Sequence, residues 1–294
     1  DDQVHGEQVG RYFHGHYNGY CFLPLYVFSG DHLLVAMLRP SSEGAAARAQ
    51  GVLALLVRHL RRTWPGVRVV FRGDAGFSKA SLLRWCDEHA VDYVVGFQRN
   101  SRIVRMIEEK LQHVATRYAD SGVAERVFDD LQYQARSWDR TRRVIAKAEY
   151  LPELRGRKAK ANPRFVVTNM VGDARALYEQ VYCARGEMEN RIKEQQLDLF
   201  ADRTSCHEWW PNQWRLLLAA LAYALMETIR RVGLAGTALA RAQCGTIRLK
   251  LLKIGAVLLR NTRRVRFLLS SAYPYQELFS RVAQRLQAPR ADSG

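Results

Sequence analysis

The chain is short of acids and cysteines, and it has no long apolar run. No uninterrupted apolar stretch reaches the roughly 18 residues a bilayer span needs; the nearest, residues 214–229, holds Arg215 and Glu227. The first residues, Asp1-Asp2-Gln3-Val4-His5-Gly6, show no signal-peptide pattern and no initiator Met. Five scattered cysteines with no Cys-x-x-C indicate neither a disulfide framework nor a zinc site, so a reduced, cytoplasmic setting is expected. No internal repeat is visible. Lys and Arg number 45 against 29 Asp and Glu, a formal charge of +16 over 294 residues. Such an excess points to a polyanionic partner, nucleic acid first. With 48% hydrophobic residues the chain can bury a core, which excludes a mostly disordered protein.

The order of elements predicts an α/β fold. Tyr20–Phe28 and His32–Leu38 read as a hairpin around Ser29-Gly30-Asp31, and 45–62 as a helix with Val52, Leu55, Leu56 and Leu60 on one face. Val67–Phe71 and Tyr93–Phe97 read as buried strands, separated by a helix over 78–89. Residues 101–117 read as a charged helix. Then come β segments at 123–129, 133–138, 142–150 and 164–167, with a basic loop at 155–160. A long helix is expected from Asp173 to about Leu199 and another from Pro211 to about Arg231. Residues 228–276 carry ten Lys or Arg and no acid; within them 247–269 fits helix or strand equally.

Two blocks suggest chemistry. Asp74 lies in Arg72-Gly73-Asp74-Ala75-Gly76-Phe77, at the carboxyl end of a strand, where α/β sheets bind ligands. Gly73 and Gly76 would let a phosphate or backbone approach; a plain turn or helix-capping role for Asp74 is the equal alternative. On the later helix Tyr182, Arg185 and Glu189 share one face at i, i+3 and i+7, with Ile192 and Gln196 continuing it. A carboxylate can hold Mg²⁺, an Arg can fork onto a phosphate, and a Tyr hydroxyl can donate to another phosphate oxygen. An ordinary solvated face is the plainer reading.

Tyr-x-x-Arg-x-x-x-Glu after a strand-end Asp resembles the DDE-type insertion-sequence transposases. The blocks His5-Gly6-Glu7-Gln8, Tyr12-Phe13-His14-Gly15, Leu23-Pro24-Leu25-Tyr26, Arg72 to Phe77, Arg185 to Lys193 and Ala272-Tyr273-Pro274-Tyr275 are similar to the bacterial family numbered thirteen-eighty. The resemblance implies an RNase H-like mixed sheet flanked by helices and interrupted by a β-rich insertion. It divides the chain into a first core segment (1–97), the insertion (98–170), a second core segment with the Glu helix (171–231) and a basic C-terminal region (232–294). It implies Asp74 and Glu189 as catalytic and metal-binding residues, and two Mg²⁺ or Mn²⁺ ions. Tyr182, Arg185, Lys193, Gln196 and Arg72 would face DNA. The partners would be terminal inverted repeats, target DNA and a second copy in a synaptic complex, at the nucleoid and not at a membrane.

Two departures stand out. The family's motif has Lys where Gln196 stands, and Lys193 lies on a different face. The first catalytic Asp of the family precedes an Asp-Asp pair that Asp1-Asp2 resembles. That Asp is therefore expected to be missing, with Asp1 or Asp2 as the lesser candidates, and the chain alone is expected not to cut DNA. Arg142, Arg143, Arg155, Arg157, Lys158 and Lys160, with Arg260, Arg263, Arg264 and Arg266, are further candidate DNA contacts, about half of them expected to be plain surface charge. Trp138 is read as core before a base-stacking residue. His5, His14 and His16 are read as strand-face residues before a metal cluster, and Trp209, Trp210 and Trp214 as core. The competing functions are a different RNase H-fold nuclease and a DNA-binding remnant without catalysis.

Overall fold

The computed structural model describes residues 2–4, 6–153 and 158–287; Asp1, His5, Arg155 and Arg157 lie outside them. The chain forms two compact units, Gly44–Glu187 and Asp1–Glu43 with Met188–Gly294.

In the second of these, β1 (Asp2–Gln3), β2 (Tyr12–His14) and β3 (Gly19–Phe22) make a small antiparallel sheet in the order β1-β3-β2. The apolar run after Gly19 is not one strand, as expected, but two. It breaks at Leu23-Pro24, where Pro has no N–H to give a ladder. The chain resumes as β4 (Leu25–Ser29), which pairs with β5 (His32–Met37) through the Gly30-Asp31 turn. Phe22, Tyr26, Leu38, Leu216 and Ala219 form one buried cluster beneath these strands.

The Gly44–Glu187 unit is built on a mixed sheet. Its strands are β6 (Val70–Gly73), β7 (Asp92–Phe97), β8 (Arg126–Tyr133), β9 (Arg142–Leu151), β10 (Lys160–Ala161) and β11 (Arg164–Thr168). The order is β10-β9-β11-β7-β6, with β8 also on β9; only β6 and β7 run parallel. The strands of 126–168 thus continue the sheet that begins with β6 and β7. Tyr93 and Val95 face one core, with Leu53, Leu83, Val144 and Phe165, while Val94 faces another with Ile145, Val166 and Tyr178. Alternate residues buried on opposite faces explain the unbroken apolar run of β7.

Several local expectations shift. The first helix, Ala49–Thr63, starts late because Arg48 is left-handed at φ 63°. It buries Val52, Leu53 and Val57, and leaves Leu55 exposed. The charged helix divides into Ser101–Arg105 and Glu108–Ser121. The second piece opens with Glu108 and Glu109, acids that suit a helix N-terminus, and closes at left-handed Gly122. Residues after Tyr133 leave the sheet, and Trp138 turns inward.

Helical turns of changing pitch run from Ala174 to Asp198, and a regular helix spans Trp209–Thr228. Residues 247–269 hold both structures that the pattern allowed. Helical turns end at Leu252, and then β12 (Ala256–Arg260) pairs with β13 (Val265–Leu269) in an exposed hairpin.

A buried charge organises the unit containing these last elements. Arg230 donates to Glu194 Oε2 at 2.5 Å and to Glu227, and all three side chains are less than 10% exposed. The Cys244 N–H also bonds Glu194, and Arg191 joins Glu194 to Asp31 at 2.7 Å each. Burial alone would raise the Glu194 carboxyl. The bonds from Cys244 and Arg230 outweigh it and hold the group below its ordinary value. Replacing Arg230 with Ala would take from buried Glu227 its paired cation and leave buried Glu194 with Arg191 alone. We expect a loss of about 3–5 kcal/mol in urea unfolding at pH 7. An unchanged midpoint would remove Arg230 from the core of the fold.

Candidate active site

The parallel pairing of β6 and β7 sets Gly73 opposite Val95. Asp74 therefore leaves the sheet at the carboxyl end of β6, next to Gly96. It does not cap the helix Ala80–Glu88. Its Oδ1 accepts the Gly76 N–H at 2.8 Å and caps the short turn Ala75–Phe77, and its side chain stays exposed. The two glycines around it are already used by the protein. A Cβ on Gly76 would stand 2.7 Å from Ala45 Cβ and 3.0 Å from Asp74 Oδ1, and one on Gly73 would press on Phe77. The open approach expected there is filled by packing.

Gly96 matters more, and its sequence signal is only a glycine inside an apolar strand. A Cβ there would lie 2.7 Å from the Tyr182 hydroxyl and 2.8 Å from the Ala75 nitrogen. The missing side chain is what lets Tyr182 reach the strand end beside Asp74. Burial and the Asp74 carboxylate raise the Tyr182 hydroxyl above its ordinary value, against the pull of Arg185, which bonds it. The phenol thus stays protonated, a donor at neutral pH. The Arg185 guanidinium lies 5.7 Å from the Tyr182 ring centre. Arg72 Nη1 donates to the Val181 carbonyl at 3.2 Å, tying β6 to the turn that carries Tyr182. Arg72, Asp74, Tyr182 and Arg185 are brought together within Gly44–Glu187.

Glu189, Lys193 and Gln196 belong to the other unit. Glu189 and Lys193 are exposed. Gln196 donates to Asp2 Oδ1 at 2.8 Å. Asp2 itself is fully buried, and its Oδ2 has no partner among the described residues. Burial lifts its carboxyl to about 6, against the Gln196 bond.

The other candidates divide between the fold and the surface. Trp138 packs against Phe97 and Tyr133 in the core, 5% exposed, and is no platform for a base. Arg142 is buried between Asp87 and Asp139, 2.9 Å from each. Arg143 is clamped by Asp130 and by the Met170 and Gly172 carbonyls. Both serve the fold. Lys158, Lys160 and the hairpin arginines 260, 263, 264 and 266 remain exposed. Trp209 packs on Phe22, but Trp210 and Trp214 are exposed rather than core. His14 and His16 contact each other and Tyr17.

A family profile described as transposase DDE domain group 1 matches residues 1–291. The chain belongs to this family of transposase DDE domains. No curated protein matches the chain. Transposase DDE domains generally use divalent metal ions, and hard oxygen donors suit such ions. Asp74 and Glu189 are exposed carboxylates of that type. No group of three or more His, Cys, Asp or Glu that could hold a metal occurs among the described residues. No helix among the described residues of this transposase domain is long and apolar enough to cross a membrane.

Two outcomes follow from the geometry. Gly96→Ala should displace Tyr182 and the Asp74 turn at once, costing on the order of 1–3 kcal/mol through overpacking; an unshifted Tyr182 in a structure of the variant would refute this. Asp2 carries a pH signature. Its folded pKa lies above the unfolded value of 3.8, so its favourable contribution is complete below about pH 4 and is lost as pH rises through 6. Asp2→Asn should therefore stabilise the protein by on the order of 2–3 kcal/mol at pH 7.5 and by nothing near pH 3.5, read from chemical unfolding. A gain of equal size at both pH values would show that titration is not its cause.

Proposed function

We propose that the chain is the catalytic region of an insertion-sequence transposase, with an RNase H-like core, that cleaves and transfers DNA strands at the ends of its element. One observation carries this reading. In a chain matched to transposase DDE domains over 1–291, Asp74 stands at the end of a parallel strand with the Tyr182 hydroxyl beside it and Arg185 against Tyr182.

Asp74 and Glu189 would hold Mg²⁺ or Mn²⁺, two ions in the working complex. Bound there, the metal stabilises negative charge on the phosphodiester oxygens and activates the attacking hydroxyl. The chain's own side chains do the positioning. Tyr182, held protonated, donates to a phosphate oxygen. Arg185 meets a phosphate with two N–H groups, and Arg72 steadies the turn behind it while adding charge. Lys193 takes a further phosphate, whereas the amide of Gln196 is committed to Asp2. The first reaction is hydrolysis of a strand. The second is attack of the freed 3′-hydroxyl on target DNA, with two copies holding the two ends.

The exposed β12–β13 hairpin supports the DNA role. It presents Arg260, Arg263, Arg264 and Arg266 with no acid nearby in sequence. A two-stranded ribbon of this kind fits the major groove.

The test uses protein from the whole open reading frame and DNA carrying the flanks of its gene. With Mg²⁺ or Mn²⁺ that protein should nick the DNA. Asp74→Ala and Glu189→Ala should each lower the rate roughly 100-fold or more while binding persists, the scale of losing one electrostatic stabiliser. Replacing the four hairpin arginines with Gln should flatten the salt dependence of binding by about 3–4 in slope, since each phosphate contact contributes close to one. Cleavage that survives Glu189→Ala overturns the site. Tight binding with no cleavage by the unaltered protein favours the second reading, a DNA-binding remnant.

A further inference from the structure

The helix Trp209–Thr228 carries apolar side chains on two opposite faces. Leu216, Ala219, Tyr223 and Met226 bury one face. The opposite face carries Trp210, 76% exposed, Trp214, 61% exposed, and Leu217, Leu218, Leu221 and Leu225, 43–58% exposed. One apolar stripe is enough to hold a helix to its own core, so a second stripe on the opposite face calls for a further cover. The exposed positions recur every three or four residues, at 210, 214, 217, 221 and 225, with Leu218 beside them. That is the seam spacing with which one helix packs against another.

We propose that this face is an interface with a second copy of the same chain. Three observations select that occupant. The exposed stripe contains no charge; Arg215 flanks it, and Glu227 is buried. A chain of net charge +16 repels its own copy over most of its surface, so a charge-free face is where two copies can meet. DNA is a poor occupant, because the stripe itself offers no cation to phosphates. Second, the six side chains together would bury on the order of 1,000–1,400 Å² over two copies, the size of a specific interface. A single patch of about half that area stands at or above the upper end of the roughly 300–600 Å² that the largest patch on a typical monomer reaches. Third, the stripe is close to symmetric about residues 217 and 218. A two-fold axis through its middle would set it against itself, as an isologous interface requires. The helix is not long and apolar enough to cross a membrane, and its polar side carries none of the Lys/Arg clustering that seats a helix on an anionic lipid surface.

The proposal deepens the transposase reading, in which two copies act together, but it is tested without DNA. Light scattering on the purified protein at micromolar concentration should give twice the 33.7 kDa of one chain. Leu218→Glu and Leu218→Lys should each yield a monomer with unchanged circular dichroism, and the emission of Trp210 and Trp214 should shift to the red. Mixing the two variants should restore a dimer, because the symmetry places residues 218 of the two copies near one another. A rescue of this kind does not arise from a merely local packing defect.

A monomeric unaltered protein overturns the proposal. So does a dimer that survives Leu218→Glu, or one lost instead with Val257→Glu in the β12–β13 hairpin. If the protein dimerises through residue 218 yet neither binds nor cuts DNA, the interface stands and the transposase reading falls. If Leu218→Glu leaves a dimer and DNA binding intact, the interface falls and that reading stands.

Discussion

The closest constraint on the candidate site is the approach of Tyr182 to the backbone at Gly96. Two parallel strands bring their carboxyl ends side by side, so Asp74 emerges next to Gly96 as a matter of register. Only the absence of a side chain at 96 admits the Tyr182 hydroxyl and the Asp74–Ala75 backbone to the same few ångströms. Arg72 then anchors the helical turn from behind through the Val181 carbonyl. Each element would hold less well without the others. The turn at Asp74 is fixed by its own carboxylate on the Gly76 N–H, and Gly76 in turn is fitted under Ala45.

The unit that contains Glu189 relies on a different device. Arg230 is a buried cation held by two buried carboxylates, and Glu194 also receives an N–H from Cys244 and a second guanidinium from Arg191. Such a cluster gains little over a well-packed apolar core, but it fails badly when one member is lost. It ties the helical run after Glu189 to the end of the long apolar helix and to Asp31 in the β4–β5 turn. The run that carries the motif Glu is therefore seated by charges a few residues beyond it.

Charge and apolarity are distributed unevenly over the molecule. Of the basic residues expected near DNA, Arg142 and Arg143 are consumed by Asp87, Asp139 and Asp130 inside the fold. Those left exposed concentrate on the hairpin tip and the loop near Lys158 and Lys160. The outer face of the helix Trp209–Thr228 is an exposed stripe without charge.

What the sequence determined by itself was pattern. The apolar run of Tyr93–Phe97 and the breaks at Trp64-Pro65-Gly66 and Ser29-Gly30-Asp31 follow from local periodicity and turn chemistry. The motif residues also carry the family membership, because residue type at fixed spacing is all that such a likeness needs. Only the tertiary structure decided how those patterns were used. Gly96 reads as an ordinary strand glycine until Tyr182 arrives from 86 residues away. Arg142 reads as a candidate DNA contact until Asp87 and Asp139 close over it. Trp210 and Trp214 read as core by composition, but a helix turns only one face inward, and the inward face is set by its neighbours. Long-range partners determine burial, and burial determines whether a charged or aromatic side chain serves the fold or remains available for binding.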